Sequence, residues 1–244
     1  GGRAAPIPHT ESAAKSCMIR DVKVVLLGSA GVGKSSLSVR FVEGSFDSKI
    51  NSTVGAHFLS KVVSVRDTSV RLNVWDTSGQ ERYRSLIRGF YRHAEIALLV
   101  LDIRQPESLQ ELRFWADELQ KNTQSLPVMA IACNKCDVSE RAVSVQSVLD
   151  FADSVGVKCV MDTSAKDDIS QSTRSRCGNH VCPCLTERCP AACHPAADVA
   201  DFFLKAVELL VAPSEAKVSS TGKFTDGVAL GKAAATAQHR LGCC

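Results

Sequence analysis

A chain of 244 residues with 45% hydrophobic and 23% charged residues suits one globular domain with extensions, and it is long enough to bury a sizeable core. A formal net charge of +3 is too small to argue for nucleic acid, and no apolar run approaches the roughly 20 residues that a membrane helix needs. The eleven cysteines do not read as a disulfide framework: five lie between Cys177 and Cys193 and two close the sequence, while residues 1–16 carry no apolar signal core, so the reducing cytosol is expected.

In chain order, residues 1–18 are rich in Ala, Pro and Ser and are expected to be disordered. Residues 22–27 form an apolar run ending at a glycine, as a buried parallel strand does, and 34–43 read as a helix. Residues 56–66 and 69–76 alternate apolar and polar side chains around Asp67 and Thr68, which predicts a hairpin. Strands follow at 96–102, 127–133 and 157–161. Helices are expected at 106–122, with Pro106 in the first turn, and at 143–154. A last helix at 197–211 places Val199, Phe202, Phe203, Ala206, Leu209 and Leu210 on one side. Strands alternating with helices imply an α/β fold, a mostly parallel six-stranded sheet with helices on both faces. Ligands of such sheets bind beyond the carboxyl ends of the strands.

The chemistry-bearing motifs fall at those ends. Residues 28–35 read G-S-A-G-V-G-K-S between a strand and a helix, the context in which G-x-x-x-x-G-K-[ST] cradles polyphosphate. Gly31 and Gly33 let the backbone approach, and the amides of Ser29, Ala30, Val32 and Ser36 are counted among the donors. Lys34 is expected to reach the β- and γ-phosphates and the Ser35 hydroxyl to ligate Mg²⁺. After the next strand, Asp76 can hold the metal through water, Gly79 can offer its amide to a γ-phosphate, and Gln80 can orient an attacking water. Asn134, Lys135 and Asp137 form N-K-x-D. The Asp137 carboxylate accepts from guanine N1–H and the exocyclic amine, a donor pair that adenine lacks there. Ser164, Ala165 and Lys166 add a backbone amide for guanine O6 and, with Lys135, stems to flank the base and ribose. The ligand is therefore expected to be GTP or GDP.

This set of motifs, in this order, resembles the Ras superfamily and within it the Rab family of membrane-traffic GTPases, most of all its early-endosomal branch. The segments V-G-A-H-F (54–58), R-Y-R-S-L (82–86), F-Y-R-H-A (90–94) and L-V-L-D-I (99–103) carry the likeness, which spans 19–211 apart from one insertion. The resemblance implies the small-GTPase fold and slow GTP hydrolysis. It implies that Thr53 joins the Mg²⁺ ligands in the GTP state, that Phe46 packs on guanine, and that Phe58, Trp75 and Phe90 form a trio read by effectors. It further implies a monomer served by an exchange factor, a GTPase-activating protein, effectors, the Rab escort protein and the dissociation inhibitor. Ser78 stands where the family usually has Ala, Phe90 where it has Tyr, and Ala30 where it has Gly or Ser. Ala30 and Ser78 flank the hydrolysis site, so a GTP-held adaptor with negligible turnover stays open as an alternative.

The tail 213–244 is small and polar and reads as a tether, with Lys217, Lys223, Lys232 and Arg240 too dispersed for a polybasic signal. Its final Cys243 and Cys244 are similar to the doubly prenylated Rab ending and not to a C-a-a-X box. That ending implies a lipid-anchored protein on the cytosolic face of endosomal membranes, with a soluble cytosolic pool. Residues 168–196 read as an insertion bearing Cys177, His180, Cys182, Cys184, Cys189, Cys193 and His194. A surface loop is expected there; a zinc- or redox-responsive segment and translated non-coding sequence are the alternatives.

Overall fold

The computed structural model describes residues 19–66, 68–173, 176–177, 180–181 and 198–212. Strand β1 (Arg20–Leu27) runs to the phosphate-loop glycines and leads into α1 (Lys34–Glu43). An antiparallel hairpin, β2 (Ala56–Val65) and β3 (Thr68–Thr77), follows. Val65 pairs with Thr68, so Thr68, expected in the turn, belongs to the strand, and Arg66 takes a left-handed φ of 53° where β2 ends. Next come a 3₁₀ turn (Glu81–Tyr83), α2 (Arg84–Tyr91), β4 (Ile96–Asp102), α3 (Pro106–Asn122), β5 (Val128–Asn134), α4 (Val145–Ser154) and β6 (Cys159–Ser164). The remaining described elements are β7 (Ile169–Ser172), the two-residue pair β8 (Arg176–Cys177) and β9 (His180–Val181), and α5 (Val199–Val211).

The main sheet has the order β2-β3-β1-β4-β5-β6-β7, parallel except for β2 and β7 at its edges. It holds seven strands where the sequence implied six. The added strand, β7, lies inside the stretch read as insertion. Ile169 is its one apolar residue, so no alternation announces it; backbone pairing of Ser164 with Ile169 through Met161 with Ser172 makes the strand. The short α2 also escaped a periodicity reading, because its buried anchors among the described residues are Ile87 and Tyr91 alone.

Every residue of β4 is buried, since helices cover both faces of the sheet. On one face, α2, α3 and α4 contribute Ile87, Tyr91, Leu112, Trp115, Val148 and Phe151. On the other, α1 and α5 contribute Leu37, Phe41, Phe202 and Phe203, with the Phe41 and Phe203 rings stacked at 4.0 Å. Each such fully buried side chain contributes about 1.5–3 kcal/mol. The helices α1 and α3 start on opposite sides of the β1–β4 boundary, where the strand order reverses. That is the place where sheets of this kind form a crevice for ligands.

Candidate functional site

The phosphate loop fills the crevice. Gly28 follows β1 and lies so close to β4 that a Cβ would fall 2.2 Å from the Val100 carbonyl oxygen. Gly33 takes φ 98°, and a Cβ there would meet Asn134 Nδ2 at 2.3 Å, so both positions require glycine. No side chain caps the start of α1, which leaves its first amides to an anion. Lys34 is buried and its amine donates to the Gly28 and Ser29 carbonyls at 2.9 and 2.7 Å. Burial pushes its pKa down to about 8, against the opposing pull of Asp76 and Glu111.

Three oxygens from distant segments converge beside this loop. The Ser35 hydroxyl donates to Asp76 Oδ2 at 2.6 Å and lies 2.8 Å from the Thr53 hydroxyl, which reaches the same carboxylate oxygen at 3.3 Å. Asp76 Oδ1 is buried without a hydrogen-bond partner. Burial raises the Asp76 pKa, opposed first by the Ser35 hydrogen bond and then by Lys34. An all-oxygen set with an orphaned buried carboxylate oxygen fits a hard divalent cation such as Mg²⁺.

Residues 78–80 close the phosphate end. The Ser78 amide donates to Gly55 O at 2.8 Å, tying the segment after β3 to the one before β2. A Cβ on Gly79 would fall 2.3 Å from the Ala30 nitrogen and the Ser29 carbonyl carbon, so only glycine fits against the loop. Ser78 is 2% exposed, and its hydroxyl accepts from the Gln80 amide at 3.3 Å. The Gln80 side-chain oxygen accepts from Arg82 Nε at 2.6 Å.

The base end is built from β5 and β6. Asn134 donates to Val32 O at 2.8 Å, and Lys135 to Gly31 O at 2.6 Å, so both residues join this loop to the phosphate loop. Asp137 accepts from the Ser164 hydroxyl at 2.8 Å, and Lys166 lies 3.9 Å from its other oxygen. Burial, then Asp162, pushes the neighbouring Cys136 thiol up to about 11, which leaves it protonated at neutral pH. Arg40 on α1 donates to the Ala165 and Lys166 carbonyls at 2.9 and 3.0 Å, holding the last loop in place. Arg40, Asp102 and Arg104 contact the site loops although no nucleotide-binding motif assigns them a role. Arg40 and Ala165 are 125 residues apart in sequence, which spacing cannot reveal. Gly31, Lys34, Ser35, Phe46, Thr53, Gly79, Gln80, Lys135, Asp137, Ala165 and Lys166 all line one cavity of about 550 Å³. Val32 is instead fully buried in the core and serves through its backbone.

A Ras family model matches residues 23–173. Ras-related protein Rab-22A of Mus musculus is 44% identical over 153 residues, covering 62% of this chain and 78% of that protein. Rab-31 of Homo sapiens is 43% identical over the same coverage, and Rab5 of Nicotiana tabacum is 46% identical over 147 residues, 60% of this chain and 73% of its own. The chain belongs to the Rab family of Ras-related GTPases. It is a GTP- and GDP-binding enzyme that hydrolyses GTP, from the endosomal vesicle-traffic branch of that family, and it works through regulators and effectors. Neither the adaptor reading nor the metal- or redox-responsive one finds support among these relatives.

In this Rab protein Phe58, Trp75 and Phe90 form one aromatic row, with ring centroids 5.2 and 5.3 Å apart. Phe58 is 49% exposed, so the row is not closed into the core. The double cysteine Cys243 and Cys244 and residues 182–194 of the cysteine-rich stretch lie outside the described residues. Among the described residues no group of three His, Cys, Asp or Glu side chains could hold a metal ion.

Proposed function

We propose that this cavity retains guanine nucleotide with Mg²⁺ and hydrolyses GTP by in-line attack of a water that Gln80 orients. What supports the reading is the single cavity itself: Gly31, Lys34, Ser35, Thr53 and Gly79 line one end, and Asp137, Lys135 and Lys166 line the other. Ser35, Thr53 and Asp76, the last through water, would hold Mg²⁺, which neutralises charge on the β- and γ-phosphates. Lys34 and the amides of residues 29–36 stabilise the charge that builds on the transferring group. The Gly79 amide and the Thr53 hydroxyl answer to the γ-phosphate, and its loss releases the segments that carry them. Phe46 covers the base, and Asp137 selects guanine.

The aromatic row Phe58, Trp75 and Phe90 is the effector surface. An exchange factor and a GTPase-activating protein act on the same two segments. Cys243 and Cys244 take two geranylgeranyl chains from the escort-bound state, because one lipid binds a membrane only marginally and two anchor it. The dissociation inhibitor extracts this lipidated monomer into a cytosolic pool, and the anchored form sits on the cytosolic face of endosomes.

Competition binding tests the nucleotide reading. GTP and GDP should displace a fluorescent GDP at concentrations at which ATP does not, and Asp137→Asn should shift preference toward xanthine nucleotides. Equal displacement by ATP contradicts it. Replacing Cys243 and Cys244 by Ser should make the protein soluble in cells with nucleotide binding intact; unchanged membrane association refutes the lipid assignment.

A further inference from the structure

Asp102 ends β4 with 0% exposure; it lies in the segment L-V-L-D-I, but neither the nucleotide-binding motifs nor the mechanism above gives it a role. A buried carboxylate must be paired, and this one is paired through both oxygens. Oδ1 accepts from the Arg104 amide and from Arg104 Nε, each at 3.0 Å. Oδ2 accepts from Arg104 Nη2 at 2.8 Å and from Lys135 Nζ at 2.9 Å. The same Lys135 amine donates to Gly31 O at 2.6 Å. Lys135 holds a left-handed φ of 69°, a conformation that a long side chain keeps only where its surroundings impose it. Arg104, Asp102, Lys135 and Gly31 therefore form one chain of charge-assisted contacts from β4 through the base loop to the phosphate loop.

We propose that Asp102 is a positioning residue of the guanine-nucleotide site: it pins the Lys135 amine against the phosphate loop, with Arg104 fixing the carboxylate's orientation, and so sets how long nucleotide stays bound. The proposal rests on the reading that the Lys135 stem flanks the base and ribose. A lysine stem has four rotatable carbons and an ammonium that one carbonyl holds weakly. Two acceptors, one of them a buried anion, restrict the stem to the wall of the cavity. The guanidinium fork occupies both carboxylate oxygens in one plane, which leaves Oδ2 directed at Lys135. Arg104 itself lines the cavity.

The test is dissociation of a fluorescent methylanthraniloyl-GDP from the full-length chain in Mg²⁺, chased with unlabelled GDP. Wild type is compared with Asp102→Asn, Lys135→Ala, the double variant and Arg104→Ala. Asp102→Asn and Lys135→Ala should each speed dissociation by about tenfold or more, and the double variant should be no faster than Lys135→Ala alone. Arg104→Ala, whose side chain is 44% exposed and whose removal leaves the core intact, should fall between wild type and Asp102→Asn. Effects that multiply in the double variant show a merely structural role for Asp102 and overturn the proposal. So does wild-type dissociation in Asp102→Asn, or in Arg104→Ala should Asp102→Asn fail to fold. Wild-type dissociation in Lys135→Ala overturns instead the reading of Lys135 at the base.

Discussion

Asp102 is also where the charge balance of the site becomes measurable. Burial works to raise its pKa, but the Arg104 and Lys135 hydrogen bonds outweigh burial and hold it at about 2, below the ordinary 3.8. A carboxyl depressed in the folded state contributes stability that is fully present above its unfolded pKa, and the contribution is lost as pH falls through the folded value. The window here is about pH 4 down to pH 2. Arg104→Ala should lower the thermal midpoint at pH 5, with the gap to wild type closing as pH falls toward 2; a gap constant over that range contradicts the assignment. At this scale the motif residues were legible in sequence, because each has a chemical reason for its spacing: Lys34 and Ser35 after the glycines, and Asp137 three residues after Asn134. Asp102, Arg104 and Arg40 were not. Arg40 and Asp102 work through contacts with distant segments, at Ala165 and Lys135, and Arg104 works through Asp102; no spacing rule records these contacts.

At the scale of elements, the junction between β7 and α5 is the least expected feature. Asp198 caps α5 by accepting from the Asp201 amide at 3.1 Å, and the Ser170 hydroxyl donates to Asp198 O at 2.5 Å. Asp168, itself at φ 55°, accepts from the Val199 amide at 3.1 Å. The strand and the helix start are thus fastened to each other on either side of residues 174–197. Within the stretch read as an insertion at 168–196, residues 169–172 form a strand of the sheet and Asp168 is part of the clamp. Replacing 174–197 by a short Gly/Ser linker costs little closure entropy, which grows only slowly with length. That variant should keep GDP affinity within about twofold and its thermal midpoint within a few degrees. Deleting 168–196 should destabilise the domain, because it removes an edge strand and the Asp168 clamp. Calorimetry of the two variants decides, and equal midpoints contradict the role given to β7. Long periodic elements such as α3 were readable to the residue. The polar β7 was not, because backbone pairing and not side-chain alternation creates it.

For the whole molecule, the sheet brings segments that lie more than a hundred residues apart to one rim, and that rim is the proposed seat of nucleotide selection and turnover. The family and its enzyme class were legible because four motifs occur in order at strand ends. The setting of Gln80 was not legible. Its side-chain oxygen is held by Arg82 and its amide by Ser78, local contacts that depend on the 3₁₀ turn after it. The Arg82 contact must give way for the Gln80 side chain to orient water, so intrinsic hydrolysis should be slow, on the order of 10⁻⁴ to 10⁻³ per second, and an activating arginine supplied in trans can add up to about 10⁵-fold. Single-turnover GTP hydrolysis by wild type and Gln80→Leu, each with and without a Rab-activating domain, tests whether Gln80 carries turnover. Wild type should turn over slowly and accelerate with the activator, while Gln80→Leu should bind GTP as tightly and hydrolyse it at a small fraction of the wild-type rate. Equal rates for the two proteins under both conditions would remove Gln80 from the mechanism.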